Sequence, residues 1–544
     1  MVSNDKNLNK RHIITAALPY ANGYIHIGHL AGSLLPADIY ARYMRLKQEY
    51  IIFISGSDEH GVPITIAAQK NNITPQQIVD KYHFANKKSL EELGISCDIF
   101  SRTTNECHKQ LSQDFFTHLY NHDKLIEKET EQYYDSVVNK FLADRYIRGT
   151  CPKCGYDDAY GDQCEKCGIT LSPEELINPH SYLSGSKPIL KKTRHWYLPL
   201  KDYEPWLKEW ILEQHKYWKI NVYGQCQSWL EQGLQDRPIT RDLDWGVTVP
   251  LPEAQDKVLY VWFDAPIGYI SFTKELLGDR YKDYWCNKDT KLVHFIGKDN
   301  IVFHSIIFPV MLKAHGNYVL PSIICGNEFM NLDGGKISKS RDHAIYLKDY
   351  LAQYPGKQDI LRYVLCANMP ETKDSDFTWE DFKRRNNTEL VDTLGNYVNR
   401  VLAMYIRYFN GYIRRLDITK QKDIDIINHT NTLINSVDNN LSHFKFKDSL
   451  NDVLEIARVG NKYITDEAPW NDSISTSRRE EILYTAMQVM AKLSIVSEPF
   501  IPFSAKKMHS ILHLHDISWY KSLDNQLVSD ITVQNLELLF EKIK

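Results

Sequence analysis

The sequence predicts an α/β protein: a parallel-sheet domain interrupted by a cysteine-bearing insertion, followed by a C-terminal α-helical bundle. Three observations predict it. Strand-like apolar runs alternate with helical stretches over residues 12–100 and resume at 258, the pattern of a parallel sheet with crossover helices. Between them the alternation stops, and turn-rich sequence with several tryptophans holds four grouped cysteines. From Phe382 onward, apolar residues recur at three- and four-residue spacing, as in Leu390, Leu394, Tyr397, Val398, Val401 and Leu402, which marks one helix face.

The elements follow in order. Ile13 to Ala17 reads as a strand that passes through Pro19 and Gly23 into a helix over roughly 28–46, about five turns. Tyr50-Ile51-Ile52-Phe53-Ile54 reads as a buried strand ending at Ser55-Gly56. In the second half, Val258-Leu259-Tyr260-Val261-Trp262 and Lys291 to Ile296 are strand-like. The expected division is 1–106 and 258–330 for the two halves of a Rossmann-like catalytic domain and 107–257 for the insertion. Residues 331–381 form a connector, and 382–544 a mostly helical domain running to the end.

Composition narrows the classes. The chain has 544 residues, 43% hydrophobic, with 33 tyrosines, enough for large cores and not the make-up of a disordered chain. A net charge of −4 excludes a generally basic protein, so any nucleic acid must be held by local patches. The polar N-terminus carries no signal-peptide core, and no apolar run is long enough to cross a bilayer. Six of the ten cysteines are scattered singly, as in a reducing compartment. The expectation is a cytoplasmic protein with no membrane partner.

Two short motifs carry groups suited to phosphates. His26-Ile27-Gly28-His29 falls where a strand turns into a helix, and a helix N-terminus attracts anions through its unbonded N–H groups and dipole. The imidazoles of His26 and His29 can donate to phosphoryl oxygens. Gly28 lets a nucleotide approach the backbone. Lys336-Ile337-Ser338-Lys339-Ser340 follows Gly334-Gly335, which puts Lys336 and Lys339 on a mobile loop as compact positive charges. Ser57-Asp58-Glu59-His60-Gly61 also lies at a strand end, where ligands of parallel sheets gather.

A third cluster has metal spacing. Cys151-x2-Cys154 and Cys164-x2-Cys167 form two knuckles, each presenting two thiolates, which together complete a tetrahedron. Glycines at 155, 161 and 168 supply tight backbone. Four protein ligands leave no open position, so one structural zinc ion is expected rather than a catalytic one.

Together, around an interrupted sheet, the histidine and lysine motifs resemble the signature sequences of class I aminoacyl-tRNA synthetases. Three longer strings sharpen the likeness: Ala16-Ala17-Leu18-Pro19-Tyr20-Ala21-Asn22-Gly23, Tyr260-Val261-Trp262-Phe263-Asp264-Ala265-Pro266-Ile267-Gly268-Tyr269, and Phe295-Ile296-Gly297-Lys298-Asp299. From Ala17 to about Trp470 the chain is similar to the methionyl-tRNA synthetase family. That resemblance implies ATP as substrate with Mg2+, handled by His26, Gly28, His29, Lys336 and Lys339. It implies a methionine site lined by Leu18, Tyr20, Trp262, Ala265, Pro266, Tyr269 and His304, with Asp58 accepting the substrate ammonium. Arg241, within Thr240-Arg241-Asp242, matches a family position near the active site. An aromatic cage suits a polarisable thioether, and a carboxylate at a strand end suits an ammonium.

Asn396, Arg400 and Trp470 match the family's anticodon-reading positions, and amide, guanidinium and indole suit unpaired bases. The implied partner is tRNA(Met), and the expected state a monomer. Arg407, Arg414 and Arg415, interleaved with Tyr408, Phe409 and Tyr412, suit the RNA phosphate backbone and read at least equally well as the wet basic face of an amphipathic helix. The chain departs from the family at Ile337, where methionine is usual, and at Asn300, where some members carry an aliphatic residue. Two rivals remain at this level: a class I synthetase for another apolar amino acid, and a noncatalytic RNA-binding protein on the same scaffold.

Overall fold

The structure, a computed structural model, describes residues 10–161, 164, 166–167, 169, 171–254, 256–337, 343–533 and 538–544. Five strands form the central sheet: β1 (Arg11–Ala16), β2 (Tyr50–Ser57), β3 (Ile99–Arg102), β4 (Lys291–Gly297) and β5 (Pro321–Asn327). Their order is β5-β4-β1-β2-β3, and every pairing is parallel. Ile14 lies between Phe53 on β2 and Val293 on β4. Helices cover both faces, so the strands bury nearly every side chain, as parallel sheets require. The chain fills the sheet outward from β1 in one direction and then, after the insertion, in the other. The crevice beyond the carboxyl ends of β1 and β4 is therefore the switch point at which such sheets bind ligands.

The helix expected over 28–46 is not uniform. A short turn, Ile27–His29, leads through a π-helical turn, Leu30–Leu34, into α1 (Leu35–Leu46). The wider turn lets Leu30, Ala31, Leu34 and Leu35 all face the core; π turns of this kind cluster at functional sites. A second expectation fails outright. Only Val258–Leu259 is a strand, paired antiparallel with Thr240–Arg241 away from the main sheet. After α2 (Glu106–Asn121), the helix α3 (Val261–Leu277) begins directly behind that strand. Residues 263–273 of α3 are all buried, and an apolar run with no polar face cannot be told from a strand by periodicity.

The intervening residues build a four-stranded antiparallel sheet around Ile126–Asp135 and Ile189–Leu198, and a smaller three-stranded sheet centred on Ile147–Thr150. The cysteine cluster belongs to the latter unit, which has its own small core.

Beyond the lysine loop, α4 (Gln358–Ala367) packs toward the bundle of α5 (Asn396–Phe409), α6 (Gln421–Ser442), α7 (Phe446–Glu467), α8 (Thr476–Ser497) and α9 (Pro502–Ile511). At Gly460 the helices α5 and α7 meet so closely that a Cβ would lie 2.4 Å from the Tyr397 ring. The C-terminal residues are not helical as expected. Ile531–Thr532 pairs with Tyr412–Ile413, and Asn387 exchanges hydrogen bonds with the backbone of Ile543. Backbone partners on the bundle surface hold this segment, so no helical periodicity is needed to order it.

The bundle is locked to the sheet domain through α1. Asp38 accepts from Arg42 at 2.9 Å and from Arg362 of α4 at 2.6 Å, with Asp38 and Arg362 fully buried. Arg42 reaches on to Glu498 at 2.6 Å.

Candidate active site

Beyond the carboxyl ends of β1, β2, β4 and β5 lies a cavity of about 500 Å³, in the size range of small-molecule sites. Leu18, Tyr20, His26, Gly28, His29, Asp58, Trp262, Ala265, Pro266, Tyr269, His304 and Lys336 all line it. Lys339, with Ser338 and Ser340, lies outside the described residues. The cavity also takes in Asp299 and Ile337, which the sequence marked only as parts of longer motifs, and Phe303 and Phe329, which it did not mark. Phe303 stacks on Trp262, with ring centroids 3.9 Å apart; a lone apolar residue in a helical turn gives no local sign of that contact.

The histidine motif is a cap. His26 is the N-cap of the short helical turn, its Nδ1 accepting from the Gly28 N–H at 3.2 Å, while His29 Nδ1 accepts from the His26 N–H at 3.2 Å. The rings stack at 3.7 Å. Because both Nδ1 atoms accept, the ring protons belong on Nε2, and each imidazole presents an N–H donor. A Cβ on Gly28 would sit 3.0 Å from the His26 ring and 3.4 Å from Ile337 Cδ1, so glycine keeps this turn compact against the lysine loop. On that loop Lys336 Nζ lies 5.4 Å from the centre of the Phe329 ring. Gly334, at φ +74, anchors the turn by donating to both carboxylate oxygens of Asp376.

The apolar side of the cavity comes mostly from α3. Trp262, Ala265, Pro266 and Tyr269 lie along one helix, facing Leu18 from the segment that follows β1 and His304 from the helical turn after β4. The Tyr20 ring meets Trp262 edge-on. His304 Nδ1 donates to the Asn300 carbonyl at 3.0 Å, so Nε2 accepts from the Tyr269 hydroxyl at 2.9 Å. Burial lowers the His304 pKa to about 4, which keeps the ring neutral.

Asp58 continues the β1–β2 pairing: its N–H donates to Pro19 O, and its own carbonyl accepts from Ala21. That fixes the carboxylate beside Tyr20. It is buried, no Lys or Arg pairs with it among the described residues, and its carboxylate meets the His60 N–H at a long 3.4 Å. Burial, and then the neighbouring charge of Asp264, push its carboxyl well above the usual range. A buried carboxylate with no cation beside it is stabilised by keeping its proton, and a cation placed against it would favour the charged form. Arg241 does not line the cavity; its guanidinium sits 4.0 Å over the Tyr260 ring and donates to Thr240 O.

Two further clusters lie apart from this cavity. The sulfurs of Cys151, Cys154, Cys164 and Cys167 all lie within 4.8 Å of one another, and no disulfide joins them. In the bundle, the Asn396 amide and the Arg400 guanidinium converge on Asn461 Oδ1, each at 3.2 Å. Arg400 also lies 5.5 Å from the Trp470 ring, which is 44% exposed. Arg414 pairs with Glu480 at 2.7 Å; it and Arg415 lie beyond the end of α5, so of the three arginines only Arg407 stands on a helix, and the single basic helix face read from the sequence is not formed.

Residues 12–402 match the family model described as tRNA synthetases class I (M), and 417–544 match that described as the anticodon binding domain of methionyl tRNA ligase. The fold is thus that of a class I aminoacyl-tRNA synthetase. Methionine–tRNA ligases of Cytophaga hutchinsonii and Bacteroides fragilis are 55% and 54% identical, over 99% of this chain and 80% of each relative. The chain belongs to the methionine–tRNA ligase family. Among solved structures, the Mycobacterium tuberculosis methionyl-tRNA synthetase in complex with methionyl-adenylate shares the fold, with a TM-score of 0.81 at 23% identity, covering 98% of this chain and 99% of that one.

Proposed function

We propose that this enzyme joins methionine to the 3′-terminal ribose of tRNA(Met) in two steps, both run in the cavity at the switch point. Methionine and ATP first form methionyl-adenylate and pyrophosphate; a terminal ribose hydroxyl of the tRNA then attacks the methionyl carbonyl, the bond to the phosphate breaks, and AMP leaves. The observation that carries this reading is the convergence of two remote motifs and an apolar cage on one cavity beside an unpaired carboxylate.

The chemistry needs no general base, because the methionine carboxylate is already an anion. It attacks the α-phosphorus of ATP, the bond to the bridging oxygen breaks, and pyrophosphate leaves with that electron pair. The protein must align the reactants and neutralise charge that grows on phosphoryl oxygens. His26 and His29 supply Nε2–H donors for those oxygens, while Lys336 and Lys339 offset charge on the leaving pyrophosphate. Mg2+ is expected on the triphosphate. Asp58 takes the ammonium, and Leu18, Tyr20, Trp262, Ala265, Pro266, Tyr269 and His304 enclose the thioether. Because Tyr269 and His304 bond to each other, the cage offers the sulfur mainly polarisable, apolar contact.

Cys151, Cys154, Cys164 and Cys167 are assigned to one structural zinc ion. Zinc–sulfur bonds of about 2.3 Å in a tetrahedron set sulfurs roughly 3.8 Å apart; the pairs Cys151–Cys167 and Cys154–Cys164 stand at 3.9 and 3.6 Å. A zinc ion there would order the insertion, which we assign to placing the acceptor end. Asn396, Arg400 and Trp470 are assigned to the anticodon. Residues 1–106 and 258–330 serve as the catalytic halves, 107–257 as the insertion, 331–381 as connector and 382–544 as the anticodon domain. The enzyme works as a cytoplasmic monomer; no helix among the described residues is long and apolar enough to cross a membrane.

Pyrophosphate exchange into ATP, run with each of the twenty amino acids, tests the proposal. Exchange that depends on methionine is expected. Exchange with isoleucine alone would point to another specificity, and silence with all twenty to a binding protein.

A further inference from the structure

The turn that carries Asp58 is held from both sides by buried ionic groups that the reaction above does not use. On one side, Glu59 accepts from Ser57 Oγ at 2.7 Å, Arg102 Nε at 2.8 Å and Thr104 Oγ1 at 2.5 Å. On the other, His60 Nδ1 and Asp264 Oδ2 are 2.6 Å apart, both side chains nearly fully buried. Asp264 stands on α3, two residues after Trp262 and next to Ala265. Its hydrogen bond to His60 therefore ties the ammonium end of the site to the helix that forms the thioether cage. His108 of α2 supports the same oxygen, with Nε2 at 3.5 Å.

The other oxygen, Asp264 Oδ1, is buried with no hydrogen-bond partner among the described residues, an arrangement that is costly for a carboxylate. Burial disfavours its charge, yet His60 and His108 outweigh that and hold the carboxyl below its ordinary range. The site thus keeps a fixed negative charge near Asp58 with half its bonding capacity unused. A nearby cation would relieve both carboxylates.

We infer that Asp264 is a positioning residue for methionine: through His60 it holds the Asp58 turn against the thioether cage, and its charge favours an α-ammonium over a neutral α-substituent. This rests on the assignment of Asp58 as the ammonium partner.

Equilibrium binding of methionine and of its α-hydroxy analogue, 2-hydroxy-4-(methylthio)butanoate, to the full chain tests it. Asp264→Asn keeps the shape and removes the charge. It should weaken methionine about tenfold while leaving the analogue and the KM for ATP within twofold. Equal weakening of both ligands, or of neither, overturns the inference. Asp58→Asn is the reference. If it leaves the methionine-to-analogue ratio unchanged, the ammonium assignment itself fails; if it collapses the ratio while Asp264→Asn does not, only the role of Asp264 fails. Should Asp264→Asn not fold, His60→Gln removes the tie and leaves the charge; at least a threefold loss of methionine affinity is expected, and unchanged affinity overturns the proposal.

Discussion

The Ile27 N–H donates to the Ile345 carbonyl at 3.1 Å, and the Leu347 N–H returns the bond to Ile25 at 2.9 Å. These bonds join the histidine turn to the chain that leaves the lysine loop. Two motifs more than three hundred residues apart in sequence are thereby one mechanical unit, with Gly28 and Ile337 in contact range where they meet. Gly28→Ala would push the His26 ring or Ile337 aside. It should slow adenylate formation about tenfold in a pyrophosphate-exchange assay; a rate within twofold of wild type would contradict this close packing.

Loss of one imidazole should be felt in the rate rather than in methionine binding. Removing a donor aimed at developing phosphoryl charge costs roughly 10²–10³ in kcat, so His26→Ala should lower exchange by that factor with the methionine Kd within twofold. Because His26 is also an N-cap, thermal unfolding should register a loss of about 1 kcal/mol. Weaker methionine binding at an unchanged rate would contradict the role.

Asp58 links pH to both stability and binding. Its folded-state pKa is raised, first by burial and then by Asp264, so above its unfolded value the folded form holds a proton that the unfolded chain has lost. Stability therefore falls as pH rises from the ordinary carboxylate range to the raised value. Asp58→Asn should melt about 2 °C higher at neutral pH and bind methionine at least tenfold more weakly. In the wild type, methionine affinity should fall on acidification through that same interval, and Asp58→Asn should abolish the dependence. A destabilised variant with normal affinity would contradict the reading.

One zinc per chain is expected from elemental analysis, given four thiolates at tetrahedral spacing. Cys154→Ser should lower the zinc content and depress aminoacylation more than pyrophosphate exchange, because the insertion lies apart from the activation chemistry. A folded wild-type protein free of metal would overturn the assignment.

Trp470→Ala should lower aminoacylation about 10- to 100-fold, since a stacked base is worth about 1–3 kcal/mol, and leave exchange unchanged. Equal losses in both assays would refute an anticodon role.

The junction between sheet domain and bundle should be a point of weakness. Asp38 is held at about 2, because Arg42 and Arg362 outweigh the burial that opposes its charge. Arg362→Ala would leave that carboxylate buried with part of its pairing gone, costing about 3–5 kcal/mol in urea unfolding. In the wild type this contribution is complete above the ordinary carboxylate pKa and is lost as pH falls toward 2.

The local features were legible in the sequence. The first apolar runs alternate with helices, so the parallel sheet could be anticipated. The paired CxxC motifs are likewise local, because each sets its two cysteines three residues apart. Val258 to Trp262 misled because a helix buried all round has no polar face to betray its period. The stacking of Phe303 on Trp262, and the bond from His60 to Asp264 across some two hundred residues, depend on how distant elements pack. No window along the chain carries that information. Asp264 was in plain view inside the Tyr260–Tyr269 string, but only its hydrogen bond to the Asp58 turn reveals what it is placed to do.

A crystal structure with methionyl sulfamoyl adenylate, a stable mimic of the intermediate, tests the central claim most directly. The ammonium should lie within hydrogen-bond distance of Asp58, the thioether between Trp262 and Tyr269, and the sulfamoyl oxygens facing the Nε2 atoms of His26 and His29. An analogue bound elsewhere, or bound here with its ammonium turned away from Asp58, would contradict that claim.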